Sequence, residues 1–513
     1  MKHKKTLRGV LLMLALSLLL AGCAASDKNA EMGNAADGGA YLPPLYGNSP
    51  MEPEAGQVEK PDTAPNGSPT FVENPFVETA LNKVSTFSAD VDTASYAYFR
   101  KLINQNCSLP QLVQSGAVFR TEEFINYFKY KATAPAEGEL FGVASEIVNC
   151  PWNEQALLMR LTLQAENAPQ TAGNNLVFLI DVSGSMGSAD KLPLLKRTFS
   201  NLVSNLTALD TVSIVTYSGR EAVVLEGCPG NEGARILQAV NALTAAGSTN
   251  GEAGLEKAYQ LAETYRIEGG NNRIIMASDG DLNVGISSQS ELTAYIERKR
   301  DQGVFLSVLG FGTGNYRDSN MEALADNGNG VYYYIDGDSE AEKVFGTDLL
   351  STLYTVAKDV KLQITFDPQY IASYRLIGYE NRLLDKEDFT DDTKDAGDVG
   401  AGHQITVCYE LIPTEAALVT ANAWMQLGVI YKRPNDTVSQ PAKYYDIGAA
   451  AYTEAPSHDM AFIMTLIKTA MLLHNSPYLG TVSLSAILEE LQGMELSAYP
   501  DRAEFLALLQ RLI

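Results

Sequence analysis

"FLIDVSGSMGS", residues 178–188, leaves a buried strand in an unusual way. Phe178, Leu179 and Ile180 suit a sheet interior, and then Asp181, Ser183 and Ser185 set three oxygen-bearing side chains at alternate positions among small residues. Working outward, LVFLI is followed by the apolar runs TVSIVTY, RIIMAS, VFLSVLG and VYYYID. Between the first two, Leu192, Leu195, Phe199, Leu202, Leu206 and Leu209 recur at spacings of three and four, which predicts a single helix face. Apolar strands alternating with amphipathic helices imply an α/β domain, a doubly wound parallel sheet covered on both sides.

In such a sheet, ligands sit where loops leave the carboxyl ends of the strands. Asp181, Ser183 and Ser185 lie at that edge. Two more segments are expected there: GSTNG, with Thr249 just before a helix, and SDGDLNVG, with Asp279 directly after RIIMAS. Oxygen donors without thiolate or imidazole select Mg²⁺ or Mn²⁺, with Ca²⁺ as an alternative. Hydroxyls add ligands without adding charge, so the ion stays electrophilic and has room for an outside ligand. Taken alone, Asp-x-Ser-x-Ser also fits a helix N-cap cluster; Thr249 and Asp279 in the right order favour the metal reading.

These five residues resemble the metal-ion-dependent adhesion site of von Willebrand factor type A domains. More of the chain, including "DVSGSM", "DKLPLLK", "GGNNRIIMASDGDLNVG", "VLGFGTGNYRDSNMEALADNGNGVYYYID" and "YRLIGYENR", is similar to a bacterial lipoprotein family in which such a domain lies between characteristic N- and C-terminal regions. The likeness covers roughly Val84 to the end. It implies a Rossmann-like A domain, and a partner's acidic side chain that completes the metal shell.

The start, MKHKKTLRGVLLMLALSLLLAGC, has a basic head, a short apolar run and Leu-Ala-Gly-Cys, and so reads as an export signal. Its end resembles a lipoprotein box, with Cys23 acylated and first in the mature chain. Losing Lys2, Lys4, Lys5 and Arg8 with the signal takes the formal charge from −24 to −28, which disfavours nucleic acid and anionic lipid surfaces. Residues 23–78 are rich in Gly, Pro, Ala and Asn and read as a disordered tether, with a reach of roughly 40 Å. The remaining expected regions are an N-terminal α/β region at 79–168, the A domain at 169–360 and a C-terminal α+β region at 361–513. The regions on either side of the A domain, with ALLMRLTLQ ending just before it and KLQITF beginning just after it, are expected to pack together, because domain termini usually lie close together, so that the two β segments could share a sheet.

Other patterns fail on inspection. "ADVDTAS" hints at an aspartyl-phosphate motif, but Ala94 stands where Thr or Val is needed, and Asp92 or Thr93 as a helix N-cap is simpler. Asp279, Asp281 and Asn283 begin like a calcium loop, yet Val284 and Ser290 occupy its glycine and bidentate-acid positions. Asp388, Asp391, Asp392, Asp395 and Asp398 form an acidic run that reads mainly as a solvated loop, with a cation role open. Cys107, Cys150, Cys228 and Cys408 lack zinc spacing; a Cys107–Cys150 bridge and separate buried thiols both remain open. The expectation is therefore a non-enzymatic, extracytoplasmic binding protein, lipid-anchored to the cell membrane, or to an outer membrane if there are two. It would grip a protein partner through a divalent ion. The competing reading is an envelope scaffold whose metal is purely structural.

Overall fold

The computed structural model describes residues 71–513, apart from 168–172, 219–220, 248–250, 281–288, 313–317, 349–354, 418–421 and 435. Cys23, the signal, most of the tether, Thr249 and the calcium-like positions 281–284 thus lie outside the described residues. Ahead of the A domain the chain forms β1 (Val77–Glu78), β2 (Val84–Ser88), β3 (Phe141–Asn149) and β4 (Leu157–Ala165). Helices Ala94–Asn104, Leu109–Gln114 and Thr121–Asn126 fall between β2 and β3.

The A domain contributes β5 (Asn174–Asp181), β6 (Thr211–Tyr217), β7 (Glu221–Pro229), β8 (Asn271–Ser278), β9 (Phe305–Phe311) and β10 (Tyr332–Ile335). Their order across the sheet is β10-β9-β8-β5-β6-β7. Neighbours run parallel from β10 through β6, as the apolar runs implied. β7 departs from that pattern as an antiparallel edge strand, exposed along much of its length and so without a buried apolar run to announce it. Along β5, side chains alternate between two cores, as the two-residue period of a strand requires. Leu176, Phe178 and Ile180 meet helices Leu192–Val203 and Gly233–Asn241, while Val177 and Leu179 meet helices Glu252–Thr264, Gln289–Asp301 and Asp318–Asn327.

The expected helix face is shorter than the leucine spacing suggested. The helix ends at Val203; Leu192, Leu195, Phe199 and Leu202 are buried, Leu206 is half-buried beyond the end, and Leu209 is 59% exposed. Asp210 accepts hydrogen bonds from the Thr207 amide and hydroxyl at 2.7 and 2.9 Å. This local side-chain bonding closes a turn where the helix would otherwise continue.

After the A domain come β11 (Thr355–Phe366), β12 (Ile371–Ile377), β13 (Leu383–Leu384), β14 (Gly397–Gly400), β15 (Gln404–Pro413), β16 (Ala423–Lys432) and β17 (Lys443–Gly448). These strands interleave with those that precede the domain. One sheet runs β1-β12-β15-β4-β3, and a second runs β13-β2-β11-β16-β17, with β14 also on β11. The two share an apolar core, crossed by Phe366 stacked on Tyr374 at 4.1 Å. The two regions thus pack together as expected, β4 and β11 contributing to that one core, but the shared sheet is corrected. β4 pairs with β15 and β3, whereas β11 pairs with β2 and β16. Each strand meets a partner from the other side of the insertion, but in opposite layers. Helices His458–His474, Leu484–Gln492 and Pro500–Gln510 join the first helices in a further aromatic-rich core.

Candidate metal centre

The chain leaves β5 towards β6 on one side, while β8 lies on the other, so a crevice opens at their carboxyl ends. Asp181 is the last residue of β5, and Asp279 follows Ser278, the last of β8. Both are buried, as is Ser183. The Ser183 amide donates to Asp181 Oδ1 at 2.8 Å, and the Ser183 and Ser185 hydroxyl oxygens stand 3.0 Å apart. Backbone bonds from Ala246 to the Val182 carbonyl (2.7 Å) and from Gly184 to the Gly247 carbonyl (3.0 Å) stitch this loop to the segment that leads to Thr249.

Asp181 Oδ2 and Asp279 Oδ1 are buried and complete no hydrogen bond among the described residues. A buried carboxylate oxygen without a donor is costly. Burial, and then the charge of Asp279, push the Asp181 carboxyl up to about 6 against the pull of Ser183 and the nearby Tyr217 hydroxyl. Two such oxygens beside two hydroxyls fit a hard divalent cation. Asp181, Ser183, Ser185 and Asp279 would hold it, with Thr249 expected from sequence alone.

Sequence reasoning missed Lys191. Its ammonium donates to Asp279 Oδ2 and to the Ser185 carbonyl, each at 2.9 Å. Lys191 is the N-cap residue of helix Leu192–Val203. A cation is unfavourable there unless it has a counter-charge, and that misplacement is the available sequence signal.

The other candidates resolve differently. Thr93 is the N-cap of helix Ala94–Asn104 but makes no side-chain cap bond. Asp92 instead accepts the Tyr332 amide at 2.9 Å and the Arg382 guanidinium at 3.0 Å, so it ties the flanking body to the A domain. In the acidic run, Asp388 bonds Lys394, Asp391 bonds Thr393, Asp392 accepts the Ser439 amide and Asp395 pairs with Arg300 of the A domain at 2.7 Å. Asp398 is pushed up to about 7 by burial and by Asp359. Among the described residues no three His, Cys, Asp or Glu side chains are arranged to hold a metal. Cys107, Cys150, Cys228 and Cys408 are free thiols.

The family model for the von Willebrand factor type A domain matches residues 175–347, one described as von Willebrand factor matches 68–160, and one described as uncharacterized protein YfbK, C-terminal, matches 351–512. The chain is 38% identical over 470 residues to the uncharacterized protein YfbK of Escherichia coli (strain K12), covering 86% of this chain and 80% of that relative. It is 28% identical over 179 residues to human inter-alpha-trypsin inhibitor heavy chain H3, covering 33% of this chain and 20% of that protein. Among solved structures, a von Willebrand factor type A protein from Catenulispora acidiphila aligns with a TM-score of 0.43 and 16% identity over 74% of this chain and 91% of that one. With its A domain set between these two matched flanks, the chain belongs to the von Willebrand factor type A family that includes YfbK.

Proposed function

We propose that this protein binds a protein partner through a divalent cation, Mg²⁺ or Mn²⁺, held by Asp181, Ser183, Ser185, Thr249 and Asp279. An acidic side chain of the partner would complete the shell. The A domain by itself points to a protein-interaction or adhesion role. The observation that carries the metal reading is the pair of buried carboxylate oxygens without donors among the described residues, Asp181 Oδ2 and Asp279 Oδ1. A binding rather than catalytic role is supported by the histidines. His403, His458 and His474 belong to the flanking body, and burial pushes His403 down to about 3 and His474 to about 4. We further propose that Cys23 is lipidated and holds the protein at the extracytoplasmic face of a membrane.

The test is capture of a partner by cross-linking on intact cells, followed by surface plasmon resonance with that partner. Binding is expected to vanish in chelator, to return with Mg²⁺ or Mn²⁺, and to be lost in Asp181→Ala with the fold intact by circular dichroism. Full affinity in excess chelator would overturn the reading in favour of a scaffold with a purely structural metal.

A further inference from the structure

We infer that Lys191 is the third charge of the metal site, a tethered cation that weakens divalent-ion binding and in return leaves the loaded site positive towards an acidic ligand. The inference rests on the metal reading above and deepens it. Three observations carry it. The ammonium sits on Asp279 Oδ2 while Asp279 Oδ1 has no donor among the described residues, so the lysine already neutralises one of the two carboxylates from the side. Its second bond, to the Ser185 carbonyl, pins it to the loop that supplies the hydroxyls. The side chain also runs through a passage that Gly312 keeps open: Gly312 has φ +85°, and a Cβ there would stand 2.1 Å from Lys191 Cε. Gly312, directly after β9, thus leaves room for the lysine. Asp190, next in the chain, is held by Lys101 of helix Ala94–Asn104 at 3.2 Å and by the Ser188 hydroxyl at 2.6 Å, which fixes the base of the side chain.

The electrostatic consequence follows from counting charges. Asp181 and Asp279 with Lys191 sum to one negative charge, so a bound divalent ion leaves the site at one positive. Without the lysine the loaded site would be neutral. A like charge within hydrogen-bond reach of a metal-binding carboxylate repels the ion at short range, where salt screens little. The same charge attracts an incoming carboxylate.

Mn²⁺ titration of the full soluble chain by calorimetry tests this with Lys191→Met, and with Lys191→Gln, which keeps a hydrogen-bond donor for Asp279 and Ser185. Both are expected to bind Mn²⁺ at least about tenfold more tightly than the parent. In chelator both should melt lower than the parent, because Asp279 loses its counter-charge, and added Mn²⁺ should shift their melting temperatures more than it shifts the parent's. If the parent binds Mn²⁺ and a folded variant binds it equally or more weakly, Lys191 is a structural contact only and the inference falls. If neither parent nor variants bind Mn²⁺, the metal reading falls and takes this one with it. Should Lys191→Met fail to fold, Lys191→Gln decides.

Discussion

Asp92 illustrates what a single residue's local sequence hides. Within "DVDT" it reads as a helix cap, but its partners are an amide 240 positions away and a guanidinium 290 away. The surroundings are unusually acidic: Arg382 also holds Asp90 and Asp326, each at 3.1 Å, and Arg120 holds Glu322 at 3.1 Å. Close by, Glu122 is pushed up to about 7, by burial first and then by Asp90, with Arg120 opposing. Glu380 is pushed up to about 8 by burial, Glu122 and Glu73. A carboxyl whose pKa is raised on folding contributes stability that is full below its unfolded value and is lost as pH rises through the folded one. The contribution of these carboxyls, roughly 3–5 kcal/mol for one such group, is therefore expected to be lost between about pH 4.5 and pH 8. His403 and His474, held neutral by burial, act in the opposite direction below about pH 6.5, where the unfolded imidazoles are protonated and the buried ones are not. Glu122→Gln should flatten the slope of melting temperature against pH; an unchanged slope would show that these carboxyls do not set it.

At the scale of elements, helix Leu192–Val203 anchors the loop that bears Ser183 and Ser185. Its Phe199 is fully buried, edge-on to Phe178 of β5 at 4.8 Å and near Phe345 at 5.9 Å. Phe199→Ala is expected to cost about 3–5 kcal/mol in urea unfolding. Leu209→Ser, at the exposed end of the same leucine series, should stay within about 0.5 kcal/mol of the parent. A comparable loss at both positions would contradict the early helix end at Val203. Helix and strand types in the A domain were legible because periodicity is local: i+3 and i+4 neighbours on a helix share a face whatever lies beyond. The helix end was not, since the leucine spacing persisted past the turn that Thr207 and Asp210 close. β7 was not legible either, because an exposed edge strand needs no apolar run.

Across the whole molecule, Arg100 on helix Ala94–Asn104 reaches into the A domain and forms two 2.7 Å bonds with Asp336 and one of 2.6 Å with Glu340, while Tyr127 donates to the same Glu340 at 2.8 Å. The Arg100, Asp336 and Glu340 side chains are all buried. Removing one partner from a buried ion network leaves charges stranded at about 3–5 kcal/mol. Arg100→Met is therefore expected to destabilise the protein by that amount and to split its calorimetric transition, as the A domain uncouples from the flanking body. A single transition at the parent's temperature would show that the clasp carries no coupling.

The sequence by itself determined the alternation of strand and helix in the A domain, the crevice at the end of β5 and β8, and the placing of Asp181, Ser183, Ser185 and Asp279 at its rim. All of these depend on residues near one another in the chain or on strand ends that a parallel sheet must align. Only the tertiary structure decided which flanking strands pair. β4 with β15, and β2 with β11, join segments more than 200 residues apart, and antiparallel strands carry no local mark of their partner's identity. The placement of Lys191 on Asp279, 88 positions away, was likewise decided there, because it depends on β8 lying beside β5 and on the passage beside Gly312.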